Sequence, residues 1–202
     1  LTTPEYQPSV KIDMKKKLFP DDYLYLNDTL CIAKIIEPIG NNDYKPSVAR
    51  WNMATEEINP MPYEYPDLKK VRFIYAASAE HQLYVQCYTQ YDLMTICDFN
   101  GNLKCNIYGP KWVNEKTQTQ HYSLGVEFCG DKILALYSGG DHRTDAYYPT
   151  KFLVFDLNGN YLKTLETGYM ITDFCYDKEN NRLIINLNDE IQFAYLDLEG
   201  II

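Results

Sequence analysis

The tetrapeptide Asp98-Phe99-Asn100-Gly101 recurs as Asp156-Leu157-Asn158-Gly159 and again as Asp197-Leu198-Glu199-Gly200. Each copy follows a short apolar run, and the copies are about 40–60 residues apart. Asn-Gly is a strong signal for a two-residue hairpin, because such turns need residues that accept a positive φ. A hairpin that returns at this interval predicts the repetition of one β-sheet unit, as in a β-propeller.

The segments before each turn repeat as well. Two further strand-like segments precede every copy, which gives a unit of strand a, turn, strand b, loop, strand c, Asp-x-x-Gly turn and strand d. A weaker unit precedes these, with Asn52-Met53-Ala54-Thr55 in the place of the turn. The sequence therefore predicts an all-β propeller of four-stranded antiparallel blades, about four of them visible, at approximately residues 20–58, 70–108, 122–166 and 169–202. Residues 1–202 then form a single propeller domain or its carboxyl-side portion.

Continuous apolar runs indicate sheets that are dry on both faces. Residues 133–136, 152–155 and 183–185 do not alternate between apolar and polar side chains, as a half-solvated strand would. A blade stacked between two neighbours has both faces covered. A β-sandwich also has many short strands, but only the propeller predicts the internal repeat, so it is favoured.

The last repeat ends just past strand c, so we expect its outer strand to come from elsewhere. Residues 9–14 are the expected donor, because an all-β ring must cover its edges. With that pairing four blades close by themselves, and without it further blades lie beyond this sequence. The chain opens with Leu1 and no charged-then-apolar leader, which is expected of a processed form or of part of a longer protein.

Composition and charge restrict the partners. The 202 residues, 46% apolar and 23% charged, are ordinary for a globular domain. The net charge of −9 and the pI near 4.8 predict no nucleic-acid partner, because phosphates would be repelled. The one basic run, Lys15-Lys16-Lys17, is interpreted as a solvated turn. No segment approaches the roughly 20 apolar residues of a transmembrane helix.

Cysteines and histidines give no metal or catalytic motif. The six cysteines contain no Cys-x-x-Cys pair and are interpreted as buried small hydrophobes. A bridge between Cys97 and Cys105 would cross a hairpin with a one-residue offset, which tends to point side chains to opposite faces. The three histidines lack zinc-ligand spacing. The Asp-x-Asn-Gly segments lack the glycine and glutamate of a calcium loop, so they are interpreted as turns, and no cofactor is predicted.

Tyrosine is abundant, with 19 residues. In a propeller the b-to-c and d-to-a connections emerge on one face, and here the long connections, residues 37–46, 59–70, 108–122 and 138–150, are all of this kind. Binding commonly resides in loops held on a rigid scaffold, and Tyr and Trp offer large contact areas. The alternative is that these rings pack their own loops. The predicted ligand-binding residues are Tyr63, Tyr65, Trp112, His142, Arg143, Tyr147 and Tyr148.

Two segments, FDLNGNYL at residues 155–162 and DFCYDKENNRL at residues 173–183, resemble the TolB-like six-bladed propeller proteins of gut-anaerobe cell envelopes. Many members of that family are predicted lipoproteins. The resemblance implies a six-bladed ring in the periplasm or at the outer membrane or cell surface, without an established reaction. The chain departs from the family in its length and in lacking a lipid-bearing N-terminal Cys, so any lipid anchor would lie on residues outside this sequence.

Two functional hypotheses follow. The favoured one is a non-catalytic binding or scaffolding propeller of the cell envelope, which engages a peptide, glycan or protein through its Tyr-rich face. The alternative is a hydrolase or lyase with a metal or paired carboxylates in the central channel, where acids could activate water. The acids predicted near inner strands are Asp22, Glu127 and Asp173.

Overall fold

The structure is a computed structural model that describes residues 18–40, 43–68 and 71–202. The predicted donor strand at residues 9–14 and the basic run at residues 15–17 lie outside the described residues. The described chain is all-β, with four antiparallel sheets in which strands adjacent in sequence are adjacent in space. This arrangement confirms the predicted propeller of antiparallel blades.

Three sheets have four strands and the last has three. Sheet 1 contains β1 (Phe19–Tyr25), β2 (Leu30–Gly40), β3 (Asp43–Asn52) and β4 (Glu57–Pro60). Sheet 2 contains β5 (Phe73–Ser78), β6 (Leu83–Tyr88), β7 (Leu93–Asp98) and β8 (Leu103–Tyr108). Sheet 3 contains β9 (Thr119–Cys129), β10 (Lys132–Asp141), β11 (Lys151–Asp156) and β12 (Tyr161–Glu166), with a 3₁₀ turn at Asp145–Tyr147. Sheet 4 contains β13 (Ile171–Asp177), β14 (Arg182–Leu187) and β15 (Phe193–Asp197).

The recurrent aspartate stabilises its own turn. Asp98 Oδ1 accepts hydrogen bonds from the backbone N–H groups of Asn100 and Asn102, at 2.8 and 2.9 Å. Asp156 accepts the equivalent pair in sheet 3 at the same two distances. Gly101 has a φ of 79°, which a residue with a Cβ rarely adopts. The tetrapeptide recurs because each of these residues satisfies a separate requirement of the turn.

The same turns also fix the spacing between sheets. A Cβ at Gly159 would lie 2.6 Å from Cys105 Sγ on β8, and a Cβ at Gly101 would lie 2.2 Å from Pro62 Cδ. In sheet 4, the carbonyl of Ile201 accepts a hydrogen bond from Lys163 on β12. Each turn thus contacts the outer part of the preceding sheet.

Apolar clusters fill the gaps between successive sheets. One cluster joins sheets 1 and 2, another joins sheets 2 and 3, and a third joins sheets 3 and 4. All six residues of β6 are buried, as are five of six in β7. Sheet 2 therefore has two dry faces, which explains why its strands do not alternate. In sheet 4, by contrast, Phe193 and Tyr195 on β15 are more than 60% exposed.

The predicted long loop at residues 37–46 is wrong. Strands β2 and β3 continue as a paired ribbon, with Glu37 opposite Lys45 and Pro38 opposite Tyr44. Backbone pairing continues through these polar residues, so the side-chain pattern that suggested a loop does not end the strands. Strands β9 and β10 also pair further than expected, through Gly140 opposite Gln120. The long connections that remain are residues 61–72, 109–118 and 142–150.

All six cysteines are free thiols, and four of them are buried. Cys105 is partly buried and Cys175 is exposed, so burial describes most of these residues but not all. Within residues 18–40, 43–68 and 71–202, no helix is long and apolar enough to cross a membrane.

Replacing Gly159 with alanine tests the contact between a turn and the preceding sheet. Gly159→Ala introduces both a strained φ of 86° and a clash with Cys105, whereas Gly168→Ala, at a φ of 75°, meets no atom within 4 Å. We expect Gly159→Ala to lower the free energy of unfolding by about 1–3 kcal/mol more than Gly168→Ala, as is typical of overpacking. Urea denaturation measures both values, and equal losses would contradict the proposed contact.

Candidate functional site

The main cleft at the long-loop end lies between sheets 1 and 2, with a volume of about 420 Å³, and is here named the first cleft. Sheet 1 provides one wall through β3, sheet 2 provides the other through β5 and β6, and the connection after β4 covers the top. The side chains that define these surfaces are Tyr44, Lys45, Val48, Tyr63, Glu64, Tyr65, Phe73, Gln86 and Tyr88. The cleft is large enough for a few sugar rings or a short peptide segment.

Four rings form an aromatic cluster beside the first cleft: Tyr65, Tyr91, Tyr108 and Trp112. Trp112 packs edge-on against Tyr65 and Tyr108, with ring centroids 5.6 and 5.1 Å apart. The hydroxyl groups of Tyr65 and Tyr108 are 3.4 Å apart, and this hydrogen bond, more than burial, raises the pKa of Tyr65 to about 12. Trp112 does not line the cleft itself. It packs against Tyr65, which lines the cleft, and so restricts the position of that ring.

A row of neutral polar groups crosses sheet 2 on the side of the first cleft. Gln86, Thr95 and Asn106 are opposite one another on β6, β7 and β8. Thr95 Oγ1 donates to Asn106 Oδ1 at 2.7 Å, and Asn106 Nδ2 donates to the Tyr63 hydroxyl at 2.8 Å. Gln86 is 6% exposed and lines the cleft. Buried amides and hydroxyls of this kind can hydrogen-bond an uncharged polar ligand.

Three charged side chains line the mouth of the first cleft: Asp43, Lys45 and Glu64. Lys45 Nζ lies 2.6 Å from Glu64 Oε2, and both side chains are about half exposed. An exposed ion pair of this type contributes little to stability. With Lys45 and Glu64 paired, the Asp43 carboxylate is left in excess at the mouth, which disfavours an anionic ligand.

The remaining predicted residues lie in a separate loop of sheet 3. Tyr147 and Tyr148 stack on each other with ring centroids 4.2 Å apart. The Arg143 guanidinium donates two hydrogen bonds to Asp141, at 3.0 and 2.6 Å, and lowers the pKa of that carboxyl well below its usual range. His142 Nδ1 donates to the carbonyl of Gln118 at 2.9 Å. Within the described residues, no ring contact connects this loop to the aromatic cluster.

The structure places two of the three predicted channel acids on neighbouring inner strands, Glu127 on β9 and Asp173 on β13. Glu127 on β9 is partly buried, and burial, with a smaller effect of Asp173 on β13, raises the pKa of Glu127 to about 7. Asp22 lies on β1 in sheet 1 and is not part of this pair. In the part of the chain that the structure describes, no three His, Cys, Asp or Glu side chains are grouped as metal ligands.

The raised pKa of Glu127 predicts a pH dependence of stability. Between about pH 4.5 and pH 7 the unfolded carboxyl loses its proton while the folded one keeps it. The unfolding free energy of the wild type relative to Glu127→Gln should therefore fall as the pH rises through this range. The fall can reach roughly 3 kcal/mol, since one pKa unit corresponds to about 1.4 kcal/mol.

Urea denaturation of both proteins between pH 4 and pH 8 measures this difference. Contributions from acids that do not interact with Glu127 cancel in the comparison. A difference that is flat, or that increases with pH, would contradict the burial of Glu127.

No known protein-family profile matches the chain, and no curated protein sequence matches it either. Solved structures do match. The extracellular domain of a predicted one-component system from B. thetaiotaomicron is 10% identical with a TM-score of 0.59, covering 90% of this chain and 21% of that one. A functionally unknown protein from Desulfotomaculum acetoxidans DSM 771 is 8% identical with a TM-score of 0.51, covering 87% of this chain and 54% of that one.

The dihydro-heme d1 dehydrogenase NirN is 9% identical with a TM-score of 0.54, covering 91% of this chain and 36% of that one. Identities this low show the propeller fold alone. The chain spans from about a fifth to just over half of the length of these three proteins. These three proteins include an enzyme and a functionally unknown protein. Because one fold commonly hosts unrelated functions, the similarity carries no information about activity.

Sequence reasoning missed part of the wall of the first cleft. Gln86, Tyr88 and Phe73 lie on β6 and β5 and were not among the predicted ligand-binding residues. Gln86 is the one polar residue in the stretch LYVQCY, and a lone amide in a strand that is otherwise suited to burial was the available signal. Tyr44 was assigned to a loop and instead lies on β3.

Proposed function

We propose that this protein is a non-catalytic binding or scaffolding propeller of the cell envelope, which engages a glycan, a peptide or an extended segment of a protein in the first cleft. The observation that carries the proposal is the placement of Tyr65. Its ring stands at the rim of a cleft of about 420 Å³, supported from behind by Trp112 and Tyr108. A tyrosine held in this way can stack against a ligand at a low entropic cost.

The chemistry of the first cleft supports a neutral polar ligand. Lys45 and Glu64 pair with each other and Asp43 adds one negative charge at the mouth, which disfavours anions, while the Gln86 amide and the Tyr63 hydroxyl offer hydrogen bonds. Sugar hydroxyls and peptide backbones both satisfy these groups. The net charge of −9 supports the further proposal that nucleic acid is not a partner.

The envelope location rests on the resemblance to TolB-like six-bladed proteins. We propose a periplasmic or surface-exposed protein, with any lipid anchor and any further blades on residues outside this sequence. A binding or scaffolding role is consistent with such a location.

A hydrolase or lyase is the second candidate, and the Glu127 and Asp173 pair favours it. A carboxyl with a pKa of about 7 is suited to proton transfer at neutral pH. Its partner carboxylate would lie on the adjacent inner strand β13. Loss of a hydrolytic or eliminating activity in Glu127→Gln, with ligand binding retained, would support this candidate.

A glycan and peptide array tests the binding proposal. Trp112→Ala removes the support of Tyr65, so we expect it to weaken the bound ligand at least tenfold, and Tyr65→Ala to do the same. Tyr169→Ala is the matched control, because Tyr169 is 53% exposed and lies outside the cleft. Tyr147→Ala reports whether a ligand also reaches the loop of sheet 3.

Thermal melting of each variant separates loss of binding from loss of folding. The proposal is contradicted if no arrayed glycan or peptide binds, or if a bound ligand is equally sensitive to Tyr169→Ala.

A further inference from the structure

A second cleft, of about 380 Å³, lies between sheets 2 and 3 and shares no lining residue with the first. Tyr108 lines the second cleft and also belongs to the aromatic cluster beside the first. The walls of the second cleft are mostly apolar and aromatic. They include Ile107, Tyr122, Tyr137, Leu153, Phe155 and Tyr161. Among these side chains stands one carboxylate, Asp92, whose side chain is shielded from solvent. A carboxylate in such surroundings needs a specific reason.

Half of the Asp92 side chain has a structural role. Its Oδ2 accepts a hydrogen bond from the backbone N–H of Lys111 at 2.9 Å. Gly109 allows this arrangement, because a Cβ there would lie 2.2 Å from the carboxylate atoms. The other oxygen, Oδ1, is buried and has no hydrogen bond of acceptable geometry. Holding the turn explains one oxygen. The other faces the His121 ring and the Tyr137 hydroxyl, and burial together with the nearby Asp92 carboxylate raises the pKa of Tyr137.

The neighbouring side chains do not provide Asp92 with a cation. His121 Nδ1 is 3.6 Å from Oδ1, but burial, opposed in part by the charge of Asp92, lowers the pKa of His121 and so disfavours its cationic form. Its Nε2 is also buried without a partner. Lys111 Nζ donates to the carbonyl of Gly139 at 3.2 Å. Lys151 Nζ lies 3.6 Å from Glu166.

The Tyr137 ring shows that the second cleft is compatible with a positive charge. Lys151 Nζ is 5.9 Å from the centroid of this ring, within the range of a cation–π contact. The Tyr137 hydroxyl is 3.3 Å from His121 Nδ1, beside Asp92. Ring faces carry partial negative charge, so aromatic walls and a buried carboxylate attract the same kind of ligand.

We propose that the second cleft binds a small organic cation with an apolar body, of the arylalkylamine type, whose ammonium group is stabilised by Asp92 and by the faces of the surrounding tyrosines. The apolar body contacts Ile107, Leu153 and Phe155. Anions are disfavoured by the charge of the Asp92 carboxylate, and neutral analogues gain nothing from it. This site is separate from the proposed glycan or peptide site.

The test uses three probes of similar shape: phenethylammonium, 2-phenylethanol and 3-phenylpropionate. Isothermal titration calorimetry of the whole chain at pH 7 is expected to show saturable binding of the cation, at least tenfold tighter than that of the alcohol or the acid. Asp92→Asn keeps the size of the side chain and should weaken cation binding at least tenfold. Asp131→Asn, at a site 77% exposed, is the matched control and should change nothing.

A second variant distinguishes electrostatic attraction from a structural role of Asp92. Lys151→Met removes a positive charge from the wall and is expected to tighten cation binding a few-fold. If a thermal melt shows that Asp92→Asn does not fold, two other measurements test the proposal. They are the ratio of the wild-type affinities for the cation and the alcohol, and the effect of Lys151→Met on cation binding. The proposal is overturned if the wild type does not bind the cation at millimolar concentration, or binds the alcohol or the acid as tightly as the cation. It is also overturned if a folded Asp92→Asn binds the cation with unchanged affinity, or if Lys151→Met weakens cation binding.

Discussion

The burial of both faces of sheet 2 is the constraint on which the rest of the structure depends. Its strands β6 and β7 face sheet 1 on one side and sheet 3 on the other, and almost every residue in them is buried. Such strands cannot alternate between apolar and polar side chains. Neighbouring sheets must therefore stand on both sides, and the Asn-Gly turns determine how closely they approach, through contacts such as Gly159 with Cys105.

Both clefts follow from the same geometry. Apolar side chains fill the spaces between neighbouring sheets, and the two spaces on either side of sheet 2 each end in a cleft beside a long connection. The first cleft is lined by Tyr63 and Tyr65, and the second by Tyr108 and Pro110. The two differ in their polar groups. The first has a buried Gln86 amide with exposed charges at its mouth, whereas the second has a buried carboxylate, which supports different ligand classes for the two sites.

The strands and turns were predictable because their signals are local. A repeated Asp-x-Asn-Gly turn and an uninterrupted apolar run each act within a few residues. Contacts between sheets join residues that are far apart in sequence, such as Asp92 and His121, and no periodicity reports them. For the same reason, Trp112 and Tyr147 were assigned to one face from topology, while the structure places them in separate groups. The pairing of residues 37–40 with residues 43–45 was missed because backbone pairing there overrides a polar sequence.

Native-state labelling of two cysteines tests the central claim most directly. Cys87 on β6 belongs to the cluster toward sheet 3 and Cys97 on β7 to the cluster toward sheet 1, and both are 0% exposed. Peptide mapping by mass spectrometry after brief maleimide treatment should find Cys175 modified and both of these thiols unmodified until the protein unfolds. If either Cys87 or Cys97 reacts as fast as Cys175 in the folded protein, one face of sheet 2 is open to water. The packing of sheet 2 between sheets 1 and 3 is then contradicted.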